Sequence, residues 1–236
     1  MTATNFTKMI PFIDIHTHFE NTDSAVIAVL NHTQKDSFAT PLLNEMQPIF
    51  QNQSPKSAGL HPWFLTKENF DADFEKLSQL IHNQDIIALG ECGLDRLKGE
   101  DLAFQTLAFE AQIRLAESVK KPVIIHCVKA YNEIVSLKRK LKPTVPLIIH
   151  GFNQNETILK DLVKNGFYIS MGAAILKADS HATTYISKIP LTRLFLETDD
   201  KDVSIKVIYE KAGGILDIEV SELKRLIHQN FQLISV

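Results

Sequence analysis

A chain of 236 residues with 44% hydrophobic and 22% charged residues fits one globular domain, and a (β/α)8 barrel needs about 250 residues. Its formal net charge of −3 supplies no long-range attraction for a polyanion, so any contact with nucleic acid has to be local. Residues 1–9 lack the basic and apolar regions of a secretory signal, no run approaches the ~18 apolar residues of a membrane span, and Cys92 and Cys127 are too few for a disulfide framework; these features lead us to expect a reduced, cytoplasmic protein without membrane partners.

The first apolar run, residues 10–15, leads into His16-Thr17-His18. Residues i and i+2 of a strand share a face, so both imidazoles can aim at one point where the strand runs out. In a chain with nine histidines such a pair alone carries little weight. A second run covers residues 25–30, followed by a stretch rich in Asn, Gln, Ser and Pro at residues 31–56, where a short irregular crossover is expected in place of a regular helix. Runs at residues 57–60 and 86–90 follow, the latter stopping at Glu91, with a helical pattern between them at residues 71–82 that sets Phe74, Leu77, Leu80 and Ile81 on one face. The long pattern at residues 102–120 repeats this spacing with Phe104, Leu107, Ala108, Ala111, Leu115 and Val119.

Strand-like runs at residues 122–125 and 146–149 stop at His126 and His150, and those at residues 167–171 and 194–197 alternate with helical patterns at residues 131–141, 156–164, 181–187, 205–211 and 221–233. The last strand leads through Glu197 and Thr198 to Asp199. Most of the eight runs lack polar alternation, as parallel strands covered on both faces do. With no repeat or linker to divide the chain, the expectation is one TIM-barrel domain over residues 1–236.

In such a barrel the C-terminal strand ends meet at one mouth. His16, His18, Glu91, His126, His150 and Asp199 then converge. Each residue alone has a bland alternative as a helix cap or a loop bond, but that alternative must hold independently on five apolar strands. Four imidazoles and two carboxylates exceed the needs of one tetrahedral ion and suit two ions sharing a carboxylate. Glu91, with two oxygens and a mid-chain position, is the expected bridge. Imidazole-rich sites favour Zn2+ or Mn2+ on affinity, with Mg2+ open on availability.

The segments Asp14-Ile-His-Thr-His18, Gly59-Leu-His-Pro-Trp63, Gly90-Glu-Cys-Gly-Leu-Asp95, Pro122-Val-Ile-Ile-His-Cys127, His150-Gly-Phe152 and Glu197-Thr-Asp199 resemble the TatD family of metal-dependent hydrolases, the TatD-type deoxyribonucleases. The resemblance runs over nearly the whole chain. It implies a TIM barrel, two divalent ions (Mg2+, Mn2+ or Zn2+) and hydrolysis of DNA phosphodiesters, commonly by 3′ to 5′ trimming of DNA or oligonucleotides. It further implies one ion on His16, His18, Glu91 and Asp199, a second on Glu91, His126 and His150, and catalytic roles for Glu91 and Asp199, the latter orienting or deprotonating the attacking water. His61, Lys129 and Arg96 are candidate substrate contacts, His61 being equally suited to pin its loop. Asp95 fits a partner of a ligand or a helix cap, and Trp63 fits base stacking or packing over the mouth. Cys92 and Cys127 are expected to pack away from the ions.

Two departures mark a compact member. After Asp199 the family's Ala-Pro and long Pro-rich loop are replaced by Asp200-Lys201-Asp202-Val203 running into a helix, and the second βα unit is short. A more open, less basic cleft follows, which leaves DNA in competition with other substrates. The alternatives are an amidohydrolase acting on a C–N or lactone bond, opposed by the absence of a bridging lysine beside Glu91; a phosphoesterase with a third metal, opposed by the lack of another such His pair; and a metal-binding barrel without turnover. No protein partner is implied.

Overall fold

The computed structural model describes residues 10–33 and 54–235. Its eight strands form one sheet in chain order, every neighbouring pair parallel: β1 (Phe12–Thr17), β2 (Val26–Thr33), β3 (Lys56–Gly59), β4 (Ile86–Asp95), β5 (Val123–Val128), β6 (Leu147–Ile149), β7 (Tyr168–Met171) and β8 (Leu194–Leu196). Beyond β8, Asp199 bridges to Thr17. The amide of Asp199 donates to His16 O at 3.0 Å and that of His18 donates to Asp199 O at 3.0 Å, bringing the first and last strands together as a nearly closed (β/α)8 TIM barrel.

Between and after the strands lie α1 (Phe70–Leu80), α2 (Leu102–Val119), α3 (Tyr131–Leu141), α4 (Glu156–Lys164), α5 (His181–Tyr185), α6 (Ile205–Leu216) and α7 (Val220–Ile234). The central strands are buried throughout, as with Val123, Ile124, Ile125, Ile148 and Ile149, and the helices bury their apolar faces on them. Buried helix glutamines tie the layers. Gln112 of α2 accepts from Leu60 N at 2.8 Å and donates to Leu60 O at 3.2 Å, while Gln105 accepts from Asp95 N at 2.7 Å and donates to Asp95 O at 2.9 Å. Each satisfies backbone groups at the end of a strand that carries the mouth.

Three expectations change. Glu91 and His126 do not end their strands: β4 continues to Asp95 and β5 to Val128, paired through Gly93 with His126, Leu94 with Cys127 and Asp95 with Val128. The helix expected over residues 205–211 runs on to Leu216 through Gly213 and Gly214; Gly213 marks where the backbone of Ile218 comes close, since a Cβ there would lie 2.8 Å from Ile218 O. The irregular crossover expected over residues 31–56 is also narrower than expected: residues 31–33 continue β2, where they pair with β3, Lys56 opens β3, and residues 34–53 lie outside the described residues. No helix among the described residues is long and apolar enough to cross a membrane.

Candidate metal centre

The site is organised by a bulge in β4. The register with β5 slips between Leu89 and Cys92; Gly90 lies within the slip and Gly93 just beyond it, with φ of +142° and +145°. A Cβ at Gly90 would stand 2.5 Å from Ile124 O, and one at Gly93 2.0 Å from His126 O. Only glycine lets β4 press this closely on β5, and that contact is what fixes the height of Glu91 in the barrel. Asn31, from β2, then clamps it: Nδ2 donates to Glu91 Oε2 at 3.2 Å, and Oδ1 accepts from Glu91 N at 3.1 Å.

The two carboxylate oxygens face different groups. Around Oε2 stand His16 Nε2 at 3.4 Å and His18 Nε2 at 3.6 Å, and Asp199 Oδ1 lies 3.6 and 3.5 Å from the same two nitrogens. These separations exceed the usual N–H···O range of about 2.7–3.2 Å. They match donors about 2.1 Å from a tetrahedral ion, which lie about 3.4 Å apart. His16 is fully buried with neither ring nitrogen hydrogen-bonded, a costly state that an ion among these atoms would relieve at Nε2. The donor set therefore fits a divalent metal.

Around Oε1 stand His126 Nδ1 at 2.8 Å, His150 Nε2 at 2.8 Å and His61 Nε2 at 3.1 Å. Burial by itself would raise the Glu91 carboxyl, but the charge of His150 and the bonds from His126 and His150 outweigh it and hold it well below the usual carboxylate range. Conversely, burial opposes protonation of His150, and Glu91 and Glu197 overcome it, raising that imidazole well above its ordinary value. The bond to Glu91 raises His18 as well. His61 is lowered by burial.

Further groups stand behind the imidazoles. Asp95 Oδ2 lies 3.2 Å from His126 Nε2; with a metal at Nδ1 in place of the proton shared with Glu91, it would hold the remaining ring proton on Nε2. Fully buried Glu197 places its charge beside His150, with Oε1 3.4 Å from Nδ1, beyond hydrogen-bond range, while that oxygen accepts from Gly151 N at 2.5 Å. His61 differs. Its Nδ1 accepts from Trp63 N at 3.1 Å, so the neutral ring carries its proton on Nε2 and donates to Glu91 instead of offering a lone pair. It both pins its loop and completes the cluster.

Asp14, two residues before His16, accepts from Thr198 N at 3.0 Å and Thr198 Oγ1 at 2.7 Å, and burial pushes its carboxyl up to about 7. It anchors the segment carrying Asp199, whose φ is +56°.

All six residues expected as ligands thus meet at one place, and His61 joins them. Arg96 does not: it is exposed and paired with Glu133. Lys129 is exposed at the end of β5, with φ +54°. Asp95 partners His126, and the cap of α2 is Asp101, which accepts from Phe104 N at 2.9 Å. Cys92 and Cys127 are buried thiols, both raised by burial. Sequence reasoning missed Asn31, Asp14 and Glu197. The last had a legible signal, a carboxylate directly after an apolar strand, but lay next to the stronger candidate Asp199. Glu197→Gln keeps an oxygen for Gly151 N and removes the charge facing His150; metal affinity should fall about 10–100-fold in equilibrium dialysis, and an unchanged value would show that Glu197 does not act on the ring.

Comparison with known proteins identifies the family. The family described as TatD related DNase matches residues 13–234. YjjV of Escherichia coli K12, an uncharacterized metal-dependent hydrolase, is 30% identical over 217 residues, covering 82% of this chain and 81% of that protein. The 3′-5′ ssDNA/RNA exonuclease TatD of Edwardsiella piscicida is 34% identical over 149 residues, 61% of this chain and 56% of that protein. The crystal structure of the E. coli YjjV protein superposes with a TM-score of 0.81 at 23% identity, over 97% of this chain and 99% of that one, which shows the shared fold. With the family matched from β1 to the final helix and its histidines and carboxylates gathered at the barrel mouth, the chain belongs to the TatD family of metal-dependent hydrolases, enzymes acting on ester bonds.

Proposed function

We propose that this protein hydrolyses phosphodiester bonds of DNA or short oligonucleotides, trimming single strands from the 3′ end, with two divalent ions sharing Glu91. The observation that carries the reading is the division of labour at Glu91: Oε2 faces His16 and His18, and Oε1 faces His126 and His150. His16, His18, Glu91 and Asp199 would hold one ion, and Glu91, His126 and His150 the other. Divalent cations held there make a water more acidic and neutralise charge on the phosphodiester oxygens.

The chain's own groups supply the rest. Burial and the nearby charge of Glu197 raise the Asp199 carboxyl above the ordinary aspartate range, making it a better proton acceptor. At 30% exposure it still reaches the open mouth, where it takes the proton of the attacking water. Asp95 holds His126 in one ring orientation, and the charge of Glu197 faces His150. The short segment from Asp200 to Ser204, with Ser204 capping α6 through a 3.3 Å bond from Lys206 N, leaves that side of the mouth open to a chain end. Proteins named as exonucleases among the relatives support DNA or RNA as the substrate class.

A single-stranded oligonucleotide labelled at its 5′ end, incubated with Mg2+, Mn2+ or Zn2+, should give a ladder shortened from the 3′ end. An untouched strand together with turnover of a small amide or lactone would overturn the reading.

The imidazole shifts add a pH prediction. In metal-free protein His18 is raised above and His150 well above the ordinary histidine value, so both hold their protons to higher pH than a free imidazole, whereas ligation needs neutral rings. Metal uptake at pH 7 should therefore release protons, and affinity should climb with pH until both rings are neutral. Calorimetry in two buffers of different ionisation enthalpy measures the release; heats independent of buffer would contradict it.

A further inference from the structure

Trp63 is the single tryptophan of the chain, and its indole is built into the rim of the site. Its Nε1 donates to Asp95 Oδ2 at 2.6 Å, the same oxygen that faces His126. The ring centroid lies 4.9 Å from that of His61 and 5.5 Å from that of His126, both imidazoles standing at 78° to it. A side chain 39% exposed is thus held in one orientation beside the reacting centre. Lys98 lies over its face, with Nζ 3.5 Å from the ring centroid. Lys98 is itself exposed and, among the described residues, forms no ion pair. A cation–π contact of this exposed kind is weaker than base–aromatic stacking.

We propose that Trp63 is the platform on which the base next to the scissile phosphodiester stacks, Lys98 lifting away to free the ring. This rests on the nuclease reading above and deepens it by naming the substrate feature: an unpaired base. A base within a duplex has both faces occupied by its neighbours, so the platform selects single strands and frayed ends. It is sequence-tolerant, because every base has a π-face.

The lone tryptophan makes the test direct. Wild-type protein in Mg2+ is titrated with a phosphorothioate-linked single strand, which resists cleavage, and with the same strand carrying abasic sites at its 3′ end. Quenching of tryptophan emission is expected with the first and its loss with the second. In turnover of the ordinary strand, Trp63→Ala should raise KM about 10-fold or more with a smaller change in kcat, and should leave KM for the abasic-ended strand unchanged. Trp63→Phe keeps an aromatic face but loses the indole N–H to Asp95, and should retain most of the wild-type KM. If Trp63→Phe falls as far as Trp63→Ala, or if emission ignores the bases while the strand is cut, stacking is overturned and the nuclease reading stands. If wild type cuts no strand, that reading fails and takes the stacking with it.

Discussion

Glu91→Gln should lower kcat/KM by roughly 10³-fold or more, about 4 kcal/mol of transition-state stabilisation, while the metal-free protein stays folded. The size follows from position. One carboxylate faces both groups of imidazoles, so the substitution weakens both halves of the site together. Glutamine has the same shape and still presents the backbone N–H that Asn31 accepts. His150, raised largely by Glu91, can shed its proton once that charge is gone, so no buried cation is stranded. Thermal melting of the metal-free variant close to wild type, with turnover lost and metal affinity reduced, is the expected pattern. Retention of more than about a tenth of the activity would show that Glu91 is not shared between two ions.

Gly93→Ala should be the most damaging single-methyl change for the fold. The new Cβ would lie 2.0 Å from His126 O, in a backbone with φ of +145°, so β4 and β5 must separate at the level where both carry site residues. A cost of about 3 kcal/mol or more is expected, lowering the melting temperature by roughly 6–12 °C in a chain of this size. Gly166→Ala is the control: φ there is +73°, with nothing within 4 Å of the added Cβ. It should show only the smaller penalty of left-handed backbone, about 1 kcal/mol. Equal melting temperatures for the two variants would mean that the close approach at Gly93 relaxes without cost.

The two substitutions probe different levels of legibility. Strand positions and the ligand set followed from local chemistry: apolar runs mostly without polar alternation, five of them leading to the His and acidic residues of the expected set. The helices at Tyr131–Leu141 and Glu156–Lys164 were placed to the residue, because their apolar spacing and flanking residues agree. The bulge was not legible. A strand model ends β4 at Glu91, whereas the pairing of Gly93 with His126 extends it to Asp95, and that pairing depends on how closely another strand approaches. Gln105 and Gln112 look like ordinary polar helix positions until the strand ends they satisfy are brought beside them.

By itself the sequence determined that this is a barrel of alternating strands and helices whose mouth gathers four histidines and two carboxylates, since period and residue type are local properties of a chain. Tertiary structure alone decided what each imidazole of the cluster faces. Asp95 stands 3.2 Å from His126 Nε2, the amide of Trp63 sets the ring proton of His61 from 3.1 Å, and the charge of Glu197 faces His150. Asp95 and Glu197 come from strands other than those of the rings they face. A hydrogen bond acts over about 3 Å, so such choices exist only once the barrel has closed.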